Sequence, residues 1–188
     1  MLKKTVLPFI VIIISFLFGA CNSKTKDAQE ISEMQHNMDS VFASAGNFNE
    51  AQKAQANEMI KAYMNYAEQY PEDSLSPKFL FESSRIQLMI PDYPAAISIL
   101  ETIPQKYPDD ALAPTALSTA AALCENILKN CAKAAEYLNQ LKEKYPHHPA
   151  AVNIDLQIEY VCDPEGYLNA VTGKTDSMIV NPLVDTLQ

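Results

Sequence analysis

Three segments of this chain, AEQYPEDSLSPKFL, PQKYPDDALAPTAL and KEKYPHHPAAVNI, place a Tyr-Pro step at Tyr70, Tyr107 and Tyr145, at spacings of 37 and 38 residues. No other feature constrains the fold as strongly, because a period of this size implies stacked supersecondary units. Proline disfavours helical φ/ψ in the residue before it, so each tyrosine is expected to close a helix. Polar residues and a second proline follow, at Ser74-Pro77, Asp110-Pro114 and Pro149. They suit the cap and first turn of the next helix.

Between these markers the apolar pattern is helical. Segments KFLFESSRIQLM (78–89) and TALSTAAALCENIL (115–128) carry apolar residues every three or four positions, with a small residue at the same place, Ser84 and Ala121. The second helices, AAISILETIPQKY and AKAAEYLNQLKEKY, align Ala96 with Ala134, Leu100 with Leu138 and Ile103 with Leu141. Small residues let two helices approach, and the larger ones fill the space between them. Pro104 is expected to kink the last turn of its helix. Upstream, Ile31, Met34, Met38, Val41 and Phe42 share one helical face, Ala45-Gly46-Asn47-Phe48 turns the chain, and Asn49 with Gln52 makes a capping box before a helix from about 50 to 70. Its stripe Met59-Tyr63-Tyr66-Tyr70 reads as core. Downstream, NIDLQIEYVC opens a further unit, and Asp163-Pro164 caps a short closing helix that ends near Gly173. The expected class is all-α: a solenoid of three to four helix pairs, with seven or eight helices over residues 30–173 and a tail at 174–188.

Helix pairs with small residues at the crossing, Asp92-Tyr93 before a second helix and Tyr-Pro at its end resemble tetratricopeptide repeats. The longer unit and its YP-x-D-S/A-x-A/S-P connector are similar to envelope lipoproteins of the BamD/YbgF type. CENILKNCAKAAEYL resembles the Glu-Asn-x-Leu-Lys pattern of tetratricopeptide lipoproteins from Bacteroidetes-type bacteria. Gln87 and Cys124 depart from the family, which has an aromatic residue near the end of the first helix. In such repeats the first helices line a concave face that holds peptides or partner helices. Transferred by position, the resemblance implies a partner-binding face of Lys78, Phe81, Arg85 and Leu88, then Ser118, Ala122 and Glu125, then Asn153, Leu156 and Tyr160.

The N-terminus is of another kind. Lys3 and Lys4 precede an apolar run from Thr5 to Ala20, which as a helix would span about 24 Å, short of a hydrocarbon core of about 30 Å. That describes a secretory signal over residues 1–20. The ending Leu17-Phe18-Gly19-Ala20-Cys21 resembles the lipobox of bacterial lipoproteins and implies cleavage before Cys21 and lipidation of that residue. Phe18 stands where a smaller residue is usual. Two or more acyl chains hold a protein stably at a membrane. Residues 21–29 read as a flexible tether. NSKTKDAQE lacks an early acidic run resembling a surface-export signal, so the expected location is the outer membrane, facing the periplasm.

The remaining cysteines, Cys124, Cys131 and Cys162, fall near one edge of an antiparallel stack. An exported protein meets oxidising conditions, which leaves Cys131 with Cys124 or Cys131 with Cys162 as the disulfide, against three reduced core thiols.

The formal net charge is −9, from 14 basic and 23 acidic residues, with Arg85 the only arginine. A chain this acidic repels nucleic acid. His147-His148 lacks a convergent third ligand, and His36 falls on a polar face. GKT at 173–175 lacks the earlier glycine of a phosphate loop, since Leu168 stands there. No serine has a G-x-S-x-G context, and the carboxylates are spread over helix surfaces. The expectation is a non-enzymatic, membrane-anchored scaffold with a protein partner, and neither cofactor, metal nor nucleic acid. Its role would lie in outer-membrane protein assembly or envelope maintenance. The alternative is a lipoprotein that binds a small molecule or glycan and feeds a transporter. The lack of tryptophan weighs mildly against glycan stacking.

Overall fold

The structure, a computed structural model, describes residues 23–38 and 48–173. Among them are eight α-helices and no strand: α1 (23–38), α2 (Glu50–Gln69), α3 (Leu75–Met89), α4 (Tyr93–Lys106), α5 (Leu112–Asn126), α6 (Cys131–Lys144), α7 (Ile154–Glu159) and α8 (Pro164–Thr172). A 3-10 turn, Pro149–Ala151, precedes α7. The all-α helix-pair fold read from the periodicity is therefore present. The chain falls into two compact units, divided between Leu112 and Ala113. The signal at 1–20, the tail at 174–188, and Val41 and Phe42 lie outside the described residues.

Each Tyr-Pro step ends a helix in the same way. Tyr70, Tyr107 and Tyr145 have φ between −125° and −133° and ψ between 51° and 59°. Each donates its N–H to the carbonyl four residues back, on Tyr66, Ile103 and Leu141. The residue three after each tyrosine then starts the next element. Asp73 Oδ1 accepts from Leu75 N, Asp110 Oδ1 from Leu112 N, and His148 Nδ1 from Ala150 N, at 2.8, 2.8 and 3.1 Å. The expected cap at Ser74 is thus corrected. Ser74 has helical φ/ψ and no capping bond, because the carboxylate one residue earlier already holds the free amide. The second helix of each pair has its own repeated cap. Asp92, Asn130 and Asp163 accept from Ala95, Lys133 and Gly166 backbone amides. α2 shares this cap, from Asn49 to the Gln52 amide, so α8 is a second helix too, and α7 with α8 is a shortened fourth pair.

In the first unit α3 packs against both α2 and α4. The core between α2 and α3 is aromatic: Phe79 lies 5.0 Å from the Tyr63 ring and 4.9 Å from that of Tyr66, nearly edge-on to the latter. Met59, Ile60, Ile86, Ile31 and Met38 surround these rings. Asn49 and Gln52 form the expected capping box. The stripe from Met59 to Tyr66 is buried as core, and burial pushes the Tyr63 phenol up to about 12 even though Gln35 Nε2 donates to it at 2.6 Å. Three buried hydroxyls, on Ser76, Ser83 and Ser84, donate to the carbonyls of Tyr70, Phe79 and Phe81, which removes the cost of burying them bare.

The tether expected at 21–29 is helix from residue 23 onward. Polar contacts hold this first turn: Lys24 Nζ reaches Asp73 Oδ2 at 2.6 Å, and the Tyr70 hydroxyl donates to Asp27 Oδ2 at 2.6 Å. The hydrogen bond from Lys24 is the main reason that the Asp73 carboxyl is held below the usual carboxylate range.

In the second unit, Ala134, Leu138 and Leu141 are buried, as are Ala113, Ala116, Leu117, Ala120 and Ala121 of α5. Tyr137 is the one aromatic residue in that core among the described residues. α6 packs against the 3-10 turn and α7, and α7 against α8.

Because the folded-state pKa of Asp73 is depressed, its stabilising contribution is present above the unfolded value, about 3.9. That contribution is lost as pH falls through the lower folded value. Protection of the amides in residues 24–38, taken against intrinsic exchange at each pH, should therefore fall between pH 5 and pH 2, and Asp73→Ala should show the lowered protection already at pH 6. Equal protection in wild type and variant would remove the pair from the docking of α1.

Candidate functional site

The second unit contains a groove of about 290 Å³. Its floor is α5, where Ser118, Ala121, Ala122 and Glu125 recur at helical spacing, with Leu138 of α6 beside them. Its wall is Gln157 of α7, Tyr160 at the C-cap of that helix, and Pro164 and Tyr167 of α8.

The wall is tied to the floor at Cys162. This residue forms a disulfide with Cys131, at a Cα–Cα distance of 5.8 Å, and donates its backbone N–H to Glu125 Oε1 at 2.9 Å. Its φ of 66° is left-handed, a conformation that L-residues with a Cβ adopt at a cost of about 1–2 kcal/mol. The bond to α6 and the bond to α5 together hold the turn there. Of the two pairings left open by the sequence, the structure has Cys131 with Cys162. Cys124 is buried and takes no part in this disulfide.

Tyr160 is seated by a glycine. A Cβ on Gly166 would fall 2.7 Å from Tyr160 Cδ1 and 2.3 Å from Asp163 Oδ2. Only glycine lets the first turn of α8 come this close to the ring while Asp163 caps it (Oδ1 to Gly166 N, 2.9 Å).

Four residues of the expected face line this groove: Ser118, Ala122, Glu125 and Tyr160. Leu156 is half-buried but is not part of the lining. Asn153, at φ 55°, is exposed and opens α7 without a side-chain cap. In the first unit Lys78, Phe81, Arg85 and Leu88 follow one another along α3. Lys78 and Arg85 are exposed, while Phe81 and Leu88 are half-buried. Arg85 Nη1 is already engaged by Glu82, at 3.0 and 3.2 Å; an exposed pair of this kind contributes about 0.2–1 kcal/mol.

Sequence reasoning missed Gln157, Pro164 and Tyr167. The signal was present in Asp163-Pro164, which caps a second helix, and Tyr167 lies one turn further on. It was passed over because the family pattern assigns the face to first helices. His148, read as solvated, is half-buried and caps the third connector; His147 and His36 are exposed. Among the described residues no three metal-ligating side chains come together, and no helix is long and apolar enough to cross a membrane.

The disulfide closes 31 residues, a loop for which chain entropy gives roughly 3.7 kcal/mol. Dithiothreitol should therefore lower the melting temperature of the second unit, and Cys162→Ser should do the same without reductant. Alkylation of unfolded, unreduced protein should tag Cys124 and spare Cys131 and Cys162. Tagging of all three would show that the bond is not formed. Gly166→Ala should cost about 1–3 kcal/mol through overpacking and shift the ring resonances of Tyr160. Unchanged Tyr160 resonances would mean that the ring does not rest on this glycine.

A search of the curated proteins finds no match. A family model described as a tetratricopeptide repeat matches residues 119–148, from mid-α5 through α6 to the third connector, and gives this stretch tetratricopeptide-repeat character.

Proposed function

We propose that this protein is a membrane-anchored lipoprotein whose helix pairs act as a non-enzymatic scaffold, with the groove of the second unit as the place where a partner protein binds. The observation that carries the reading is the coincidence of two findings. The stretch with tetratricopeptide-repeat character, a motif commonly used to bind proteins, supplies much of the groove floor. Apart from Glu125 and Leu138, that floor is made of small side chains, which suits the backbone of a peptide or the side of a helix. The anchor rests on the resemblance of Gly19-Ala20-Cys21 to a lipobox, and the periplasm-facing outer-membrane location rests on the same resemblance. A role in outer-membrane protein assembly or envelope maintenance follows from the likeness of the connectors to lipoproteins of the BamD/YbgF type.

Ala122 is exposed at the groove, so a photo-crosslinking residue in its place reports on occupancy. In envelopes of the native host, this variant should join one protein at near-stoichiometric yield, and Ala122→Phe, which fills the groove, should abolish that partner's capture by the tagged chain. Cys21→Ser should move the protein from the membrane to the soluble fraction. A small molecule retained at Ala122, with no protein adduct, would replace the scaffold by the ligand-carrier alternative. A Cys21→Ser protein that stays with the membrane would remove the lipid anchor from the reading.

A further inference from the structure

The groove has a chemical bias that the scaffold reading does not specify. Its lining contains one carboxylate, Glu125, two tyrosines, one serine and one amide, with no lysine, arginine or histidine. The wall extends this asymmetry: from Tyr145 to Gly173 the sequence has four carboxylates, Asp155, Glu159, Asp163 and Glu165, and neither Lys nor Arg. Of the three lysines of α6, Lys133 pairs with Glu136 and Lys142 with Asp155, and none of the three lines the groove. Glu125 gives Oε1 to the Cys162 amide, which fixes the carboxylate in place and leaves its other oxygen for a donor. Tyrosine faces attract guanidinium and ammonium groups, most effectively arginine.

We infer that the groove receives a cationic segment of its partner, an extended stretch in which lysine or arginine alternates with small apolar residues. The inference rests on the groove being the partner site. The cation would be held between the tyrosine wall and Glu125, and the apolar residues would lie on Ala121, Ala122 and Leu138. An anionic segment would meet the Glu125 carboxylate with no cation in the lining beside it, so the site selects by repulsion as well as by attraction.

The test uses the full chain in mild detergent and three fluorescent twelve-residue peptides. They share leucine and alanine positions and differ only in carrying arginine, glutamine or glutamate between them. Anisotropy should show the arginine peptide binding about tenfold tighter than the glutamine peptide, a gap of the size expected for a charge-assisted contact. The glutamate peptide should bind weakest. The advantage of arginine should shrink as salt rises and the Debye length falls. Glu125→Gln keeps an acceptor for the Cys162 amide but removes the charge, and should cost most of the advantage. Tyr167→Leu should weaken the arginine peptide more than the glutamine peptide. Glu50→Gln, on an exposed turn of the first unit, should leave all three unchanged. Equal binding of arginine and glutamine peptides sinks the inference and leaves the scaffold standing. Equal losses from Glu50→Gln and Glu125→Gln also sink it, because the attraction would then belong to the net charge of the chain. Binding of none of the three overturns both the inference and the groove as a peptide site.

Discussion

The fold depends on one small hydrogen bond, repeated three times. After each Tyr-Pro step, a side chain three residues on from the tyrosine accepts the backbone amide two residues beyond itself. Proline ends one helix by steric exclusion, and the acceptor fixes where the next element begins. The three tyrosines share their φ/ψ to within about ten degrees, so each connector leaves its helix in nearly the same direction. Removing such an acceptor costs about 0.5–2 kcal/mol. The third connector keeps this bond with His148 in place of aspartate, but there the chain makes a 3-10 turn, passes through a left-handed Asn153 and starts a helix of six residues.

The period, the second helices and their buried partners were legible because they repeat. Ala96 and Ala134, Leu100 and Leu138, and Ile103 and Leu141 are all buried, as their alignment implied. What repetition does not encode was read less well. Residues 23–29 have no apolar stripe, and their helix is held by Lys24, Asp27 and their distant partners Asp73 and Tyr70. Contacts of single polar atoms across more than forty residues leave no periodic trace. Serine is a strong capping residue, which makes Ser74 the expected cap; only the geometry of the turn shows that Asp73 reaches the amide first. Tyr167 escapes a family rule about first helices, because in the fourth pair the first helix is short and the second supplies the wall.

Cys162 links the connector logic to the site. A shortened α7 ends too early to bury itself as α3 and α5 do, and the turn after it takes a left-handed conformation at a cysteine. The disulfide to Cys131 and the bond to Glu125 hold that turn from two neighbouring helices. A residue that would otherwise be a weak point thereby fixes the wall of the groove. Cys124, outside the disulfide, is buried in the core of this unit.

The two units also explain where the groove can form. Shifting by the 37 residues that carry Ser84 onto Ala121 carries Phe81, Arg85 and Leu88 onto Ser118, Ala122 and Glu125. The same stripe of a first helix is therefore bulky in α3 and, apart from Glu125, small in α5. A concavity lined by a helix arises when side-chain volume is withheld from it, since close packing otherwise fills the space. In the first unit the volume is spent on Phe81 and Leu88, and on an arginine neutralised by Glu82 one turn away. In the second it is withheld at Ser118 and Ala122, opposite Tyr160 and Tyr167, and the only charge left on the floor is negative. The substitutions between two copies of one repeat thus convert a filled helix face into a grooved one.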